Sequence, residues 1–470
     1  MMDKYHLFQQ SAKEAALLFS SLSTREVIRI VSHLDADGIS AAAILIRTLN
    51  QLNRRYSISI VQQLSDSLID QLKDEKHELF FFTDLGSGQI KSIAEKLSDR
   101  KLFILDHHEI QEDIKSDNIF HVNPHLFGIE GSKEISGAGV VYTFAKNLYQ
   151  DIEKHAHIAV IGAIGDIQED NGFQPLNDEI LQDAVRNQKI EVQKGLRLFG
   201  IQTRPLHKAL EYNTKPYIPG VTGSESGAIQ FLHQIGIEPR TGSGWKKAVN
   251  LTDEEMKKLV TGIIMKRLDE DNPDDVLGNI YMLPEEPLES PTRDAREFST
   301  LLNACGRMKK ASLGIGACIG DRKTKEKAIG VLKDYKKAII DAMRWYEKNP
   351  DKVIRKERYV IINAEDNIPA SMIGTLASIL SKSNQMKDGT YVMSLARTEE
   401  NTTKVSMRMS GDQKDLDLRQ VVMEITQKTG GESGGHMKAA GAIIPVEKES
   451  DFICTAVEVL DKLALEEPVA

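Results

Sequence analysis

Asp106, His107 and His108 set one carboxylate and two imidazoles side by side. Residues 101–105 before them are a short apolar run that reads as a buried strand. The three side chains are therefore delivered to a strand's carboxyl end, the rim at which open α/β sheets bind ligands. A second set, His33-Leu34-Asp35-Ala36-Asp37-Gly38, follows the strand-like run 27–31. Alternate residues of an extended turn point the same way, so one imidazole and two carboxylates converge. Gly38 then lets the backbone turn sharply. Mixed His/Asp ligation suits manganese, iron or zinc better than calcium. Asp84 follows the apolar run 79–82, and Asp166 follows the apolar stretch 158–164. Ligand-type residues at every such end point to a metal centre rather than to isolated core histidines.

The elements that must position these residues alternate along the first 200 positions. Runs 27–31, 57–61, 79–82 and 101–105 read as strands, and 5–23, 39–46, 65–74 and 87–97 as helices. Strand, polar turn and helix open a βαβ unit, so an α/β fold with a parallel sheet is expected. His121 and His125 flank Asn123-Pro124 in an expected loop near the site. Ser136-Gly137-Ala138-Gly139 reads as a helix start; its amides either meet a phosphate or form a tight packing turn.

Further on, 212–245 is rich in Gly, Pro, Ser and Thr and reads as loops and short helices. Thr252 to Glu255 looks like a cap before a helix over 256–268, and 269–291 reads as an acidic surface loop. Residues 303–346 hold eleven Lys/Arg against four Asp/Glu, either a solvated helix face or a phosphate-backbone contact. Trp245 and Trp345 are expected in packing rather than as base-stacking platforms. The last third carries strands at 359–363, 390–396, 404–410 and 442–446, with helices at 368–381, 418–429 and 452–465. Between them the glycines of 430–435, ended by His436, serve either as a flexible hairpin loop or as a cradle of amides around an anion.

The formal charge of −9 over 470 residues excludes a chain coated in positive charge. Carboxylates gathered around metal would contribute to that deficit. Three scattered cysteines make a disulfide framework unexpected and a reducing compartment the natural one. With no signal-peptide pattern and no long apolar run, a cytoplasmic protein without a membrane span is expected.

His33-x-Asp35-x-Asp37-Gly38, Asp84, Asp106-His107-His108 and Asp166 together resemble the four signature motifs of the DHH phosphoesterase superfamily. That family includes RecJ-type exonucleases, small-oligonucleotide and cyclic-dinucleotide phosphodiesterases, and family II inorganic pyrophosphatases. The resemblance implies two divalent ions, manganese or else magnesium. His33 and Asp35 would hold one, Asp37, His107 and Asp166 the other, and Asp84 would bridge them. His108 would face the scissile phosphate, with Asp106 orienting its neighbours. The stretch 297–308 resembles archaeal RecJ-like proteins, including the GINS-associated nuclease, and makes Arg307 a substrate contact.

Ser406-x-Arg408-x-Ser410 with Gly434-Gly435-His436 and Ala439-Ala440-Gly441 resembles the DHH-associated C-terminal domain. There Arg408, Ser410, Gly434, Gly435 and His436 would bind substrate phosphates as that domain closes over the metals. The expected organisation is a catalytic domain at 1–200, an inserted region with a basic segment at 201–350 and a smaller α/β substrate domain at 351–470. The expected activity is a single-strand-specific exonuclease, 5′-to-3′ on DNA, in replication or repair beside GINS. The alternatives are a small-oligonucleotide or cyclic-dinucleotide phosphodiesterase, and a replisome scaffold.

Overall fold

The computed structural model describes residues 3–466 apart from 115, 171, 214–215, 243, 271, 384–385 and 412–416, with the backbone alone at 436, 465 and 466. Its first strands are β1 (Ile28–His33), β2 (Tyr56–Val61), β3 (Leu79–Thr83), β4 (Lys101–Leu105) and β5 (Ile119–Val122). They form one parallel sheet in the order β2-β1-β3-β4-β5. The helices are α1 (Lys4–Ser21), α2 (Ala36–Gln51), α3 (Asp66–Asp74), α4 (Ile90–Lys96), α5 (Gly137–Lys146), α6 (Ala156–Gly165) and α7 (Pro175–Arg186). The chain steps one way from β1 to β2 and the other way to β3. Such a reversal opens a crevice at the strands' carboxyl ends.

Strands covered on both faces read as unbroken apolar runs. In β3, Phe81 stacks on Phe103 of β4 at 4.7 Å between ring centroids, and Phe19 of α1 and Phe144 of α5 pack on this pair. Phe80 and Phe82 point the opposite way and gather with Ile90 and Ile93 of α4. The stretch before Asp166 is helix α6. It is apolar all round and packs against α2, α5 and α7, as a fully buried helix must be. His121 sits in β5, where the sequence suggested a loop. Four residues with a histidine at the third are too short to show a period.

The chain continues through β6 (Glu191–Leu196), α8 (Leu206–Glu211), α9 (Glu225–Gln234), β7 (Arg240–Thr241), β8 (Gly244–Trp245), α10 (Asp253–Lys266) and β9 (Leu277–Met282). Helices α11 (Ala295–Arg307), α12 (Ala311–Ile319) and α13 (Arg322–Lys348) follow. Thr252 and Glu255 cap α10 reciprocally, at 3.2 and 3.0 Å. Strand β9 pairs antiparallel with β6, so 269–291 is not wholly the expected loop. This segment has its own core, including Leu206, Leu210, Phe231, Leu259 and Ile263.

The chain divides into two compact units, Met1–Leu332 and Lys333–Ala470, and the boundary falls within α13. The second unit contains β10 (Val353–Arg355), β11 (Tyr359–Asn363), α14 (Ile373–Ser381), β12 (Tyr391–Arg397), β13 (Thr402–Met409), α15 (Leu418–Thr429), β14 (Glu432–His436), β15 (Ala439–Pro445) and α16 (Glu449–Glu466). Its six strands run in the order β10-β11-β12-β13-β15-β14. The glycine-rich stretch is therefore an edge strand, β14, paired along its length with β15. Gly434 and Gly435 interrupt its side-chain alternation, so it shows no strand pattern in sequence. No helix among the described residues is long and apolar enough to cross a membrane.

Phe103 is fully buried between aromatic neighbours, so Phe103→Ala should cost about 3–5 kcal/mol of unfolding free energy. Urea unfolding followed by circular dichroism measures this.

Candidate metal centre

Strand β1 ends on His33, and Asp35 caps α2 by accepting from the Gly38 amide at 3.0 Å. Asp37 lies inside the first turn of α2, fully buried. Its two carboxylate oxygens accept the amides of Gly137 at 2.6 Å and Ala138 at 3.0 Å. The helix start of α5 thus forms where expected, but these amides meet a carboxylate of the same chain.

Asp84 follows β3 with φ of 58° and is 1% exposed. Aspartate tolerates this left-handed conformation better than most residues. After β4, Asp106 accepts from the amides of Ser87, His107 and His108, and from His108 Nδ1 at 2.7 Å. His107 Nδ1 contacts the Gly131 carbonyl at 2.9 Å, which turns Nε2 toward the carboxylates. Gln168 donates to the same carbonyl at 2.9 Å, and Asn177 donates to Gln168.

The six expected ligands come together. His33 Nδ1 lies 2.9 Å from Asp35 and 3.6 Å from Asp84. His107 Nε2 lies 3.2 Å from Asp84, 3.3 Å from Asp166 and 3.7 Å from Asp37. Three groups have ligand atoms within 4.8 Å of one another: His33, Asp35 and Asp84; Asp37, His107 and Asp166; and Asp84, His107 and His108. Yet His33 Nδ1, both Asp84 oxygens and His107 Nε2 are buried without a well-aligned hydrogen bond. They sit close to one another without bonding to one another, as ligands around a cation do. Among the described residues no lysine or arginine pairs with Asp35, Asp37, Asp84 or Asp166. The mixed imidazole and carboxylate donors and these orphaned atoms fit a divalent metal ion.

The buried charges of this cluster shift one another's protonation. Burial, then the Asp84 charge, push Asp37 up to about 7. Burial and the Asp37 charge likewise raise Asp166. Burial alone would pull His33 down, but Asp35 and Asp84 hold it well above its ordinary value. Asp84 and Asp166 do the same for His107 against its burial. Against its own burial, Asp35 is held low by His33. Burial also opposes ionisation of both His108 and Asp106, yet their mutual attraction raises the first and lowers the second.

Asp166 leaves α6 through a turn in which Ile167 adopts φ of 61° and is 61% exposed. The amide of Gln168 closes this turn on the Ala163 carbonyl, a helix ending that usually places glycine where Ile167 stands. A β-branched residue there is strained.

Arg307 closes α11, one position after Gly306. In the second unit, Arg408 of β13 donates to Ser378 at 3.1 Å and to the Met407 carbonyl at 2.7 Å, and Ser410 is buried just beyond the strand. Met407, Ala440 and Gly435 form one row across β13, β15 and β14, so Arg408, Gly434, Gly435 and the backbone of His436 belong to one end of that sheet. The His436 side chain lies outside the described residues. Trp245 already carries the Arg240 guanidinium and the His207 ring, at 4.3 and 4.0 Å, consistent with packing. Gln168, Asn177 and Asn303, whose contacts support the centre, escaped the sequence reading. Asn303 lies in the stretch 297–308, whose resemblance points to Arg307 instead.

Three family models match the chain: the DHH family, N-terminal domain, over residues 27–165, the DHH-CID domain over 198–280 and the DHHA1 domain over 357–462. The chain is 32% identical over 467 residues to an uncharacterized protein of Methanocaldococcus jannaschii, spanning 98% of this chain and 99% of that one. It is 26% identical over 189 residues to the single-stranded-DNA-specific exonuclease RecJ of Bacillus subtilis, covering 38% of this chain and 23% of that protein. Among solved structures, RecJ of Thermus thermophilus with Mn2+ matches with a TM-score of 0.58 at 17% identity, over 97% of this chain and 55% of that one. CDC45 of Entamoeba histolytica matches with a TM-score of 0.63 at 11% identity, over 97% and 98%. At these identities the likeness is one of fold.

Cation binding must displace protons from Asp37, raised to about 7, and from Asp166, His33 and His107, which are raised as well, so Mn2+ affinity should rise as pH rises through about 7. Calorimetry in buffers of different protonation enthalpy should register proton release. Binding without proton release and without pH dependence would place the cation elsewhere.

Proposed function

The chain belongs to the DHH family, and from that premise we propose that it is a metal-dependent, single-strand-specific exonuclease that cuts DNA from the 5′ end in replication or repair. The observation that carries this reading is the set of three ligand groups that overlap at Asp84 and His107. His33, Asp35 and Asp84 would hold one ion, and Asp37, His107 and Asp166, with Asp84 again, would hold the other. When bound, two divalent ions activate a water and neutralise charge at phosphorus.

The chain's own groups do the rest. Asp106 fixes the His108 ring through Nδ1 and favours its protonated form. His108 thereby brings positive charge to a phosphate oxygen beside the ligands. Apolar helix α6 keeps water from behind the cluster. Arg307 and, in the second unit, Arg408, Ser410, Gly434, Gly435 and His436 contact substrate phosphates. Residues 1–200, 201–350 and 351–470 act as catalytic, inserted and substrate-binding parts. The relatives that support this reading include an exonuclease specific for single-stranded DNA and a RecJ with bound Mn2+. The resemblance of residues 297–308 to archaeal RecJ-like proteins extends this reading to a replisome partner such as GINS.

Single strands labelled at either end, in DNA and RNA forms, test the reading with Mn2+ present. Early release of the 5′ label from DNA is expected, and chelation should abolish it. Release of the 3′ label first would reverse the direction. A strong preference for strands of two to five nucleotides would identify a small-oligonucleotide phosphodiesterase. Asp84→Ala should lower the rate by more than the ~10–100-fold typical of residues outside the ligand set. Unchanged cleavage by that variant would sink the catalytic assignment and favour a scaffold.

A further inference from the structure

Helix α11 lies outside the segments matched by the DHH and DHH-CID models, yet it touches both loops that carry the ligands. At its start Arg296 donates to Glu169 through Nε at 3.0 Å and Nη2 at 2.7 Å. Glu169 is 5% exposed and stands in the turn that follows Asp166. Seven residues later, about 10 Å along the helix, the Asn303 side-chain oxygen accepts the Ala36 amide at 3.1 Å. Ala36 sits between Asp35 and Asp37, and its amide is one of the donors a helix start leaves unpaired.

The approach is close because residue 306 is glycine. A Cβ there would stand 1.6 Å from the carbonyl oxygen of Leu34, inside the same ligand loop. The helix is also tied in a third direction. Glu297, buried, accepts the Gln202 amide at 3.1 Å and the Thr203 hydroxyl at 2.5 Å, at the start of the inserted segment.

We infer that α11 is a strut that holds the His33–Asp37 loop and the Asp166 turn in register, with Asn303, Gly306 and Arg296 as positioning residues that set metal affinity. The inference rests on the metal-centre reading, not on which strand is cut. The Asp35 carboxylate has two tasks: one oxygen caps Gly38 and the other faces His33. Asn303 takes the neighbouring amide, so that Asp35 is not drawn to it. Glu297 extends the same strut to the inserted segment, so that segment's position reaches the ligands through one helix.

The test is Mn2+ calorimetry on the full chain, with melting of the metal-free protein as the check on folding. Asn303→Ala should weaken Mn2+ about 10–100-fold, as loss of supporting partners typically does. Asn303→Asp, which keeps an acceptor, should bind within a few-fold of the unaltered chain. At saturating Mn2+, the KM for a single-stranded oligonucleotide should stay within about twofold, which separates positioning from substrate contact. A folded Asn303→Ala protein with unaltered Mn2+ affinity would overturn the strut. If Asn303→Ala does not fold, Arg296→Gln takes its place, with weaker Mn2+ binding expected and unaltered binding again decisive against it. Failure of the unaltered chain to bind Mn2+ would overturn the metal centre and the strut together. Mn2+ binding without cleavage would overturn the nuclease reading alone.

Discussion

Like charges gathered out of water are the constraint around which the first unit is built. Asp37 and Asp84 are almost wholly buried within reach of Asp35 and Asp166, and among the described residues their charged partners are histidines. Burial of ionised carboxylates without compensation is costly, so such a centre keeps protons until a cation replaces them. The surroundings supply part of the compensation. Two amides of α5 bond to Asp37, and three backbone amides bond to Asp106. No lysine or arginine among the described residues intrudes, which keeps the space for a metal.

The strand order makes this arrangement possible. β1, β3 and β4 are adjacent and parallel, so their carboxyl ends form one rim. The reversal between β2 and β3 leaves a crevice there, and α5 and α6 close it from one side. Aromatic packing beneath β3 and β4 then makes the rim rigid, because Phe81 and Phe103 hold those strands in register. Catalytic groups on the ends of rigid strands are better positioned than groups on long loops.

What could be read in the sequence was what lies close together along the chain. His33, Asp84 and Asp106-His107-His108 follow apolar runs whose type is plain, and the parallel α/β core follows from them. The capping pair Thr252 and Glu255 was equally plain. Contacts between distant positions were not. Nothing local says that the Gly137 amide belongs to Asp37, 100 residues earlier, or that Asn303 reaches Ala36 across 267. Segments without a side-chain period were also lost: β14, interrupted by Gly434 and Gly435, β9 within an acidic stretch, and β5 with only four residues. The run before Asp166 was recognised as apolar, but a wholly buried helix and a buried strand share that signature.

Ile167 has a consequence for how this chain can be changed. Glycine would relax the left-handed backbone there by about 1–2 kcal/mol, so a screen that rewarded heat tolerance alone would find that replacement readily. The same replacement would loosen the turn that presents Asp166. Durability and reactivity are therefore set against each other at a single backbone position, and engineering this protein for one will be felt in the other.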